Sequence, residues 1–196
     1  MLRTIAPRHR WFVDPEISRI RSAVVVCNHI SYLDPILLIS LFPRHKTIVK
    51  NRYFSYPIFG WVLRHAGYFP ADAASKHSYL MIEQVEGMQA FLAQGGILFI
   101  FPEGRRSRDG AIGHLHRGAI KIARMCRVPI HVLRLDGTDR LFTPGRFLFN
   151  ATVRNTISLR TTGCIDPQPG ESLSLESIEQ RIRAALNRDT RQEEDR

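Results

Sequence analysis

The chain has 196 residues, and its 28 Lys and Arg against 18 Asp and Glu give a formal net charge of +10. This length fits one domain with one core, and the charge favours a polyanionic partner: nucleic acid, an anionic membrane surface or a phosphorylated ligand. The sequence offers no apolar run of the roughly 18 residues that span a bilayer, no apolar core of a signal peptide and no metal-ligand spacing among its three cysteines, which indicates a reduced chain.

Predicted strands and helices alternate along the chain. The strands are predicted at residues 23–27, 46–50, 97–101, 129–135 and 152–160, and the helices at residues 35–42, 54–65, 77–94, 117–126 and 175–187. The near-continuous apolar runs of the first and third strands are typical of strands covered on both faces. The alternation predicts an α/β fold, a single layered domain with a largely parallel or mixed sheet flanked by helices.

The predicted domain covers residues 23–188. Before it lies a basic and aromatic segment, residues 1–22, which is a candidate for membrane contact, and after it a polar tail, residues 189–196. No stretch is rich enough in Pro, Gly and Ser to divide the chain further.

A histidine and a carboxylate follow the first predicted strand, in NHISYLD at residues 28–34. Pro35 favours a helix start there, with Asp34 at or near the N-cap and Ser31 in an overlapping capping arrangement. A bend between strand and helix lets His29 meet Asp34, and a carboxylate bonded to one imidazole nitrogen raises the basicity of the other. The segment indicates either an oriented general base or a capping aspartate beside a surface histidine.

A second polar segment, FPEGRRS at residues 101–107, follows the third predicted strand. Carboxyl ends of parallel strands meet at one edge of a sheet, where α/β proteins place their sites. We therefore expect this segment and NHISYLD to open into the same crevice. Guanidinium groups at such an edge suit phosphate, which they bind in bidentate fashion.

Taken in order, these segments resemble the motifs of the glycerolipid acyltransferases of the PlsC type, the 1-acylglycerol-3-phosphate or lysophospholipid acyltransferases. The pair His29 and Asp34 is similar to the first family motif, and residues 101–107 are similar to the third. Lys50 with YPIFGWVLRHAGYF at 56–69 resembles the second block, and HRGAIKIARMCRVPI at 116–130 resembles the fourth. The similarity runs from residue 23 to residue 135.

This resemblance implies transfer of an acyl group to a hydroxyl of a lysophospholipid-like acceptor, with 1-acylglycerol-3-phosphate as the default. The donor is acyl-CoA or acyl carrier protein as co-substrate, with no further cofactor and no metal. His29 would take the proton from the acceptor hydroxyl, and Asp34 would orient it. The residues implied to bind substrate are Asn28, Ser31, Lys50, Phe101, Pro102, Glu103, Gly104, Arg105, Arg106 and Ser107.

Three positions depart from the family pattern, and these departures bear on which acceptor the protein uses. Ala73 follows Asp72 where the second family motif closes with an arginine, and Arg105 stands where threonine is common. Val132 stands where the fourth block has its second proline. The resemblance therefore leaves the identity of the acceptor open.

Other functions stay open from the residues alone. A thioester hydrolase would use the same pair on water, and a basic nucleic-acid-binding domain is favoured only by the charge. Cys27, two residues before His29, offers a Cys–His nucleophile, although a cysteine that ends an apolar run usually packs as a small hydrophobe. His114 and His116 are too few for a metal site.

Three segments mix aromatic and cationic side chains in the way that peripheral membrane proteins do: residues 2–13, 52–69 and 140–149. Apolar insertion together with cationic attraction to anionic lipid holds such proteins on a surface. We expect a peripheral protein on the cytoplasmic face of the inner membrane, with a lysolipid acceptor and without a nucleic-acid partner.

Overall fold

A seven-stranded sheet forms the centre of the protein, as seen in a computed structural model that describes residues 8–71, 78–142, 150, 153–166 and 173–188 and only the backbone of residues 78–83. The strand order across the sheet is β1-β7-β6-β2-β5-β3-β4. The strands are β1 (His9–Val13), β2 (Ala23–Cys27), β3 (His45–Val49), β4 (Phe69–Pro70), β5 (Ile97–Ile100), β6 (Ile130–Asp136) and β7 (Asn155–Ile165).

Six α-helices connect or cover these strands within the described residues. They are α1 (Asp34–Leu41), α2 (Pro57–His65), α3 (Ser78–Ala93), α4 (Gly118–Cys126), α5 (Thr138–Leu141) and α6 (Leu175–Leu186). Two 3-10 turns, Pro15–Arg19 and Asn51–Ser55, precede β2 and α2. Each of the five predicted helices is present, and its ends differ from the predicted ends by a few residues.

The sheet is mixed, as predicted. β2 pairs in parallel with both β5 and β6, and β3 pairs in parallel with β5 and β4. β6 and β7 are antiparallel, and β1 is parallel to β7. The carboxyl ends of β2, β3, β5 and β6 therefore meet at one edge of the sheet. The predicted α/β fold, a single layered domain with helices on a mixed sheet, is confirmed.

Both faces of β2 are covered, which explains its unbroken apolar sequence. Val24 and Val26 belong to a core cluster with Leu92 of α3 and with residues of α4 and α6. Val25 and Cys27 belong to a second cluster on the opposite face, with Leu38 of α1. Burial of these side chains removes apolar surface from water on both sides of the strand, so the exit of β2 is held firmly in place.

The segment predicted as a separate N-terminal stretch, residues 1–22, contributes an edge strand to the sheet. Its β1 runs beside β7, with His9 level with Asn155 and Val13 level with Leu159. Such a strand has no local signal, because its partner lies at the other end of the chain. Residues 1–7 and the predicted tail at 189–196 lie outside the described residues.

Helix α2 begins three residues later than predicted. Pro57 occupies its first turn, where a proline is well tolerated, and a 3-10 turn takes the residues before it. Gly60 lets the helix approach this turn, because a Cβ at Gly60 would stand 2.1 Å from the Phe54 carbonyl oxygen. The prediction of one continuous helix from residue 54 is wrong, because Tyr56, the residue before Pro57, is extended.

Candidate active site

The imidazole of His29 and the carboxylate of Asp34 meet in the bend between β2 and α1. His29 Nδ1 lies 2.9 Å from Asp34 Oδ2. The Asp34 side chain is fully buried, and 15% of the His29 side chain is exposed. The ring of His29 stacks on Phe101 with centroids 4.4 Å apart. An ionised carboxylate is an acceptor only, so it holds the imidazole proton on Nδ1 and leaves the Nε2 lone pair available.

The carboxylate of Asp34 receives four hydrogen bonds. Oδ2 accepts the backbone N–H groups of Ile30 and Ser31, both at 2.7 Å, in addition to His29. Oδ1 accepts the hydroxyl of Thr138 at 2.6 Å. Hydrogen bonds to a buried carboxylate favour its charged form. The arrangement fixes the position of the Asp34 carboxylate.

The alternative in which Asp34 only caps a helix beside a surface histidine is wrong, because Asp34 bonds His29. Helix α1 begins at Asp34 itself, its N-cap is Leu33, and no side chain caps it. Asp34 reaches backward to the N–H of Ser31, which is one half of the expected capping box. The Asp34 carboxylate points back to the bend between β2 and α1, where it bonds His29, and it accepts no N–H group of the first turn of α1.

Cys27 is not available as a nucleophile. Its side chain is fully buried in the core cluster with Val25 and Leu38. Burial raises the pKa of the Cys27 thiol well above its ordinary value, and the Asp34 carboxylate raises it further. A thiolate is the reactive form of cysteine, so the Cys–His alternative has no physical basis in this fold.

The second polar segment lies against the first. The backbone N–H of Ser107 donates to the carbonyl of His29 at 2.7 Å. Gly104 turns the segment with φ +62°, and a Cβ there would stand 3.1 Å from the ring of His116. The carbonyl of Pro102 accepts the N–H of His116 at 2.8 Å. Residues 28–34 and 101–107 therefore lie side by side, as expected; that they open into one crevice stays a prediction.

Two polar atoms of this segment are buried without a protein partner among the described residues: Oε1 of Glu103 and Nη1 of Arg106. Glu103 is 6% exposed, and its other oxygen accepts the N–H of Gly113 at 3.0 Å. The guanidinium of Arg106 lies over the ring of Tyr32, 4.4 Å from its centroid. Buried polar atoms are costly when they have no partner, so these two atoms could each accept or donate a hydrogen bond to a polar ligand.

Known proteins are similar to this chain over the segment that carries these residues. The profile of the family described as Acyltransferase matches residues 12–135. The chain belongs to this acyltransferase family. The family predicted from the ordered motifs is confirmed.

Several proteins named as 1-acyl-sn-glycerol-3-phosphate acyltransferases are similar to this acyltransferase chain. A chloroplastic 1-acyl-sn-glycerol-3-phosphate acyltransferase of Brassica napus is 34% identical over 122 residues, which cover 62% of this chain and 35% of that protein. The 1-acyl-sn-glycerol-3-phosphate acyltransferase of Saccharomyces cerevisiae is 28% identical over 130 residues, 65% of this chain and 43% of that one. The chain thus spans about a third of the length of its chloroplastic relatives.

A solved structure shares the fold of this acyltransferase chain. It is the 1-acyl-sn-glycerophosphate acyltransferase PlsC of Thermotoga maritima, with a TM-score of 0.67 and 23% identity. The match covers 91% of this chain and 69% of that one. The shared fold therefore includes most of the chain, and not only residues 12–135, which match the family.

Two residues predicted to bind substrate make hydrogen bonds within the acyltransferase fold. Asn28 is fully buried, and its amide bonds both the N–H and the carbonyl of Leu135, at 2.7 and 2.8 Å. Ser31 is also fully buried, and its hydroxyl bonds the N–H of Leu33 at 3.3 Å and the carbonyl of Phe142 at 3.4 Å. Both side chains are thus engaged within the protein, and their predicted contacts with substrate stay predictions.

Ser107 shapes its own loop. Its hydroxyl lies 3.0 Å from Asp109 Oδ1 and 3.0 Å from the carbonyl of Ala111. The hydrogen bond from Ser107, with a second from the N–H of Ala111, lowers the pKa of the Asp109 carboxyl. The hydroxyl of Ser107 is therefore engaged in the turn, and its predicted contact with substrate stays a prediction.

Lys50 and Arg105 are exposed cations near this edge of the sheet. Lys50 directly follows β3, whose residue Thr47 is level with Phe99 of β5. Arg105 lies in the turn made by Gly104. Their predicted contacts with a phosphate stay predictions. Position 73, where the family arginine is missing, lies outside the described residues.

Sequence reasoning missed Thr138, which follows β6 and is 1% exposed. It is placed by Gly137, whose φ is +82° and whose Cβ, if present, would stand 2.1 Å from the carbonyl oxygen of Thr156. Only glycine fits there. Val132, the third departure from the family pattern, is a fully buried residue of β6 and faces the core.

The described residues contain no group of three His, Cys, Asp or Glu side chains that could hold a metal ion. The rings of His114 and His116 make an edge contact at 5.2 Å. Among the helices that the structure describes, none is long and apolar enough to cross a bilayer.

Proposed function

We propose that the chain transfers an acyl group from an acyl thioester to a hydroxyl of a lysophospholipid-like acceptor. The observation that carries this proposal is the hydrogen bond between His29 Nδ1 and Asp34 Oδ2, at an edge where a buried arginine nitrogen lacks a partner. Membership of the acyltransferase family supports it. The names of the curated relatives make 1-acylglycerol-3-phosphate the first acceptor to test.

In the proposed reaction His29 is the general base. Its Nε2 takes the proton of the acceptor hydroxyl while that oxygen attacks the thioester carbonyl carbon. The tetrahedral intermediate collapses, the C–S bond breaks, and the thiolate leaves with the proton from His29. Asp34 stays ionised throughout, keeps the other proton on Nδ1 and stabilises the imidazolium. No covalent intermediate with the enzyme forms.

The acceptor headgroup is proposed to bind at Arg106 and Glu103. The free Nη1 of Arg106 is a donor for a phosphate oxygen, and the free Oε1 of Glu103 is an acceptor for a glycerol hydroxyl. Lys50 and Arg105 are exposed cations at the same edge and add attraction for the anion. Phe101, stacked on His29, forms the apolar side of the site.

The donor is proposed to be acyl-CoA or acyl carrier protein, and no further cofactor is invoked. The net charge of +10 suits either phosphorylated donor. The acceptor comes from a lipid surface, so we propose a peripheral protein at the cytoplasmic face of the inner membrane. The same charge suits anionic lipid.

A thiol-release assay tests the proposed reaction. Purified protein is given acyl-CoA or acyl carrier protein, with 1-acylglycerol-3-phosphate, with other lysolipids, or with a diacyl phosphatidic acid that lacks the free hydroxyl. We expect thiol release to depend on a monoacyl acceptor and not to occur with the diacyl control. Release without any acceptor would instead identify a thioester hydrolase. Absence of release, together with polynucleotide binding that falls steeply with salt, would contradict acyl transfer.

A further inference from the structure

Helix α2 presents an apolar face that no other part of the described chain covers. Ile58, Trp61 and Val62 share one side of the helix by their spacing, and Ile58 is 82% exposed and Trp61 56% exposed. Phe59 flanks them and is also exposed. The opposite side of the helix, with Leu63, is buried. An exposed patch of large apolar residues on a monomer marks an interaction site.

The segment of chain that contains α2 carries charge of one sign. Residues 35–71 contain five Lys and Arg and no Asp or Glu. Arg52 and Arg64 are exposed and border the helix; Arg52 lies over the ring of Tyr53, and Arg64 donates to the carbonyl of Phe54 at 2.7 Å. A tryptophan and other apolar side chains ringed by cations fit an anionic lipid surface, where the rings enter the interface and the cations meet headgroups.

The position of the helix ties this face to the candidate active site. Helix α2 and the turn before it follow the carboxyl end of β3, the same edge that holds His29 and Arg106. We propose that the α2 face, defined as Ile58, Phe59, Trp61 and Val62, inserts into the surface of an anionic bilayer and sets the site beside its lipid acceptor. This inference rests on the proposed function only for the identity of that acceptor.

Vesicle binding tests this inference without any turnover. Co-sedimentation is measured with phosphatidylcholine vesicles and with vesicles that also contain phosphatidylglycerol. We expect Ile58→Ser and Trp61→Ser each to lower the partition coefficient about tenfold, the scale expected for one large apolar side chain. Met125→Ser changes an exposed apolar residue on α4, 47% exposed, and is the control; it should bind as the wild type does.

Fluorescence and oligomeric state complete the test. Quenching of Trp61 by brominated lipid, in a Trp11→Phe background, should report insertion of the ring. Equal loss of binding in Met125→Ser, or no loss in Trp61→Ser, would overturn the inference. So would a dimer that Ile58→Ser dissociates in the absence of vesicles, because it would make a second copy the partner. Unchanged turnover of the two α2 variants on a water-soluble acceptor separates this result from the proposed reaction.

A second, independent observation concerns Thr138. Its hydroxyl is the described donor to Asp34 Oδ1, and it comes from a segment 104 positions away in the sequence. The other three donors to Asp34 all lie within residues 29–31 and all bind Oδ2. Without Thr138, Oδ1 would be a buried oxygen with no donor in the described residues, and the carboxylate would be held through Oδ2 alone.

The geometry assigns Thr138 as a positioning residue for the His29–Asp34 pair, and this assignment rests on the proposed function. Thr138→Val keeps the shape and removes the donor, whereas Thr138→Ser keeps the donor. We expect Thr138→Val to lower kcat about tenfold to a hundredfold, the range of a hydrogen bond to a charged group. The KM for donor and acceptor should stay within about twofold, and Thr138→Ser should restore kcat.

A measurement without substrate keeps this assignment separate from the reaction. The Nδ1 proton of His29, held by Asp34, should give a downfield proton resonance in the wild type and in Thr138→Ser. In Thr138→Val it should be broadened by exchange. Unchanged resonance and kcat in Thr138→Val would overturn the assignment, as would a failure of Thr138→Ser to restore both in a folded protein.

Discussion

Replacement of His29 by alanine is expected to lower acyl transfer by about a hundredfold to ten-thousandfold, the usual contribution of a positioned general base. The imidazole is partly exposed and packs on Phe101, so its removal leaves the core clusters of the sheet intact. Thiol release in a single turnover, at saturating donor and acceptor, measures the loss directly. Thermal unfolding of the same samples shows that the fold is retained.

Asp34→Asn is a sharper form of the same prediction. The amide oxygen can accept the same two N–H groups of Ile30 and Ser31, and the amide nitrogen then faces Thr138, whose hydroxyl oxygen can accept. The hydrogen-bond network survives while the negative charge that stabilises the imidazolium is lost. We expect a loss of kcat similar to that of His29→Ala, with little change in stability.

Cys27→Ala is the matched control for these two variants. It changes a buried core residue adjacent to the motif and removes a thiol that does not reach the site. We expect turnover within about twofold of the wild type and a loss of about 1 kcal/mol of unfolding free energy from the small cavity. A loss of turnover in Cys27→Ala as large as that of His29→Ala would contradict the assignment of the base.

The parts of this site that sequence predicts are those that lie within one short segment. His29 and Asp34 are five residues apart and directly follow a strand whose apolar run is unmistakable, so their meeting depends only on a local bend. Glu103 and Arg106 follow a second such strand. The parallel pairing of these two strands, one beside the other, then brings both segments to one edge.

The parts that sequence did not predict depend on contacts between distant segments. Thr138 reaches Asp34 only because β6 lies beside β2 in the sheet. The edge strand β1 pairs with β7 at the far end of the chain. Asn28 and Ser31 belong to the motif that predicts substrate contacts, and their polar atoms bond the backbone of β6 and of the segment after α5. Motif membership alone cannot separate a ligand from a structural hydrogen bond.

Arg106 carries the second large prediction, which concerns the acceptor. Its guanidinium is held over the ring of Tyr32 and has a buried nitrogen that no described protein group satisfies. Arg106→Ala is expected to raise the acceptor KM by about tenfold to a hundredfold, the scale of a charged hydrogen bond to phosphate. The donor KM and the rate at saturating acceptor should change much less, because the contact is made equally in the ground state and the transition state.

The variants around Arg106 separate charge from geometry. Arg106→Lys keeps the charge but loses the planar group that stacks on Tyr32, so its acceptor KM should fall between those of the wild type and Arg106→Ala. Arg108→Ala removes an exposed cation of the same loop and is the control for the general charge of the surface. If Arg108→Ala raised the acceptor KM as much as Arg106→Ala does, long-range attraction would explain the effect, and the headgroup contact would be wrong. Direct contact between the phosphate and the Arg106 guanidinium predicts a different result. The acceptor KM should rise only in the variants at position 106, and it should rise more in Arg106→Ala than in Arg106→Lys.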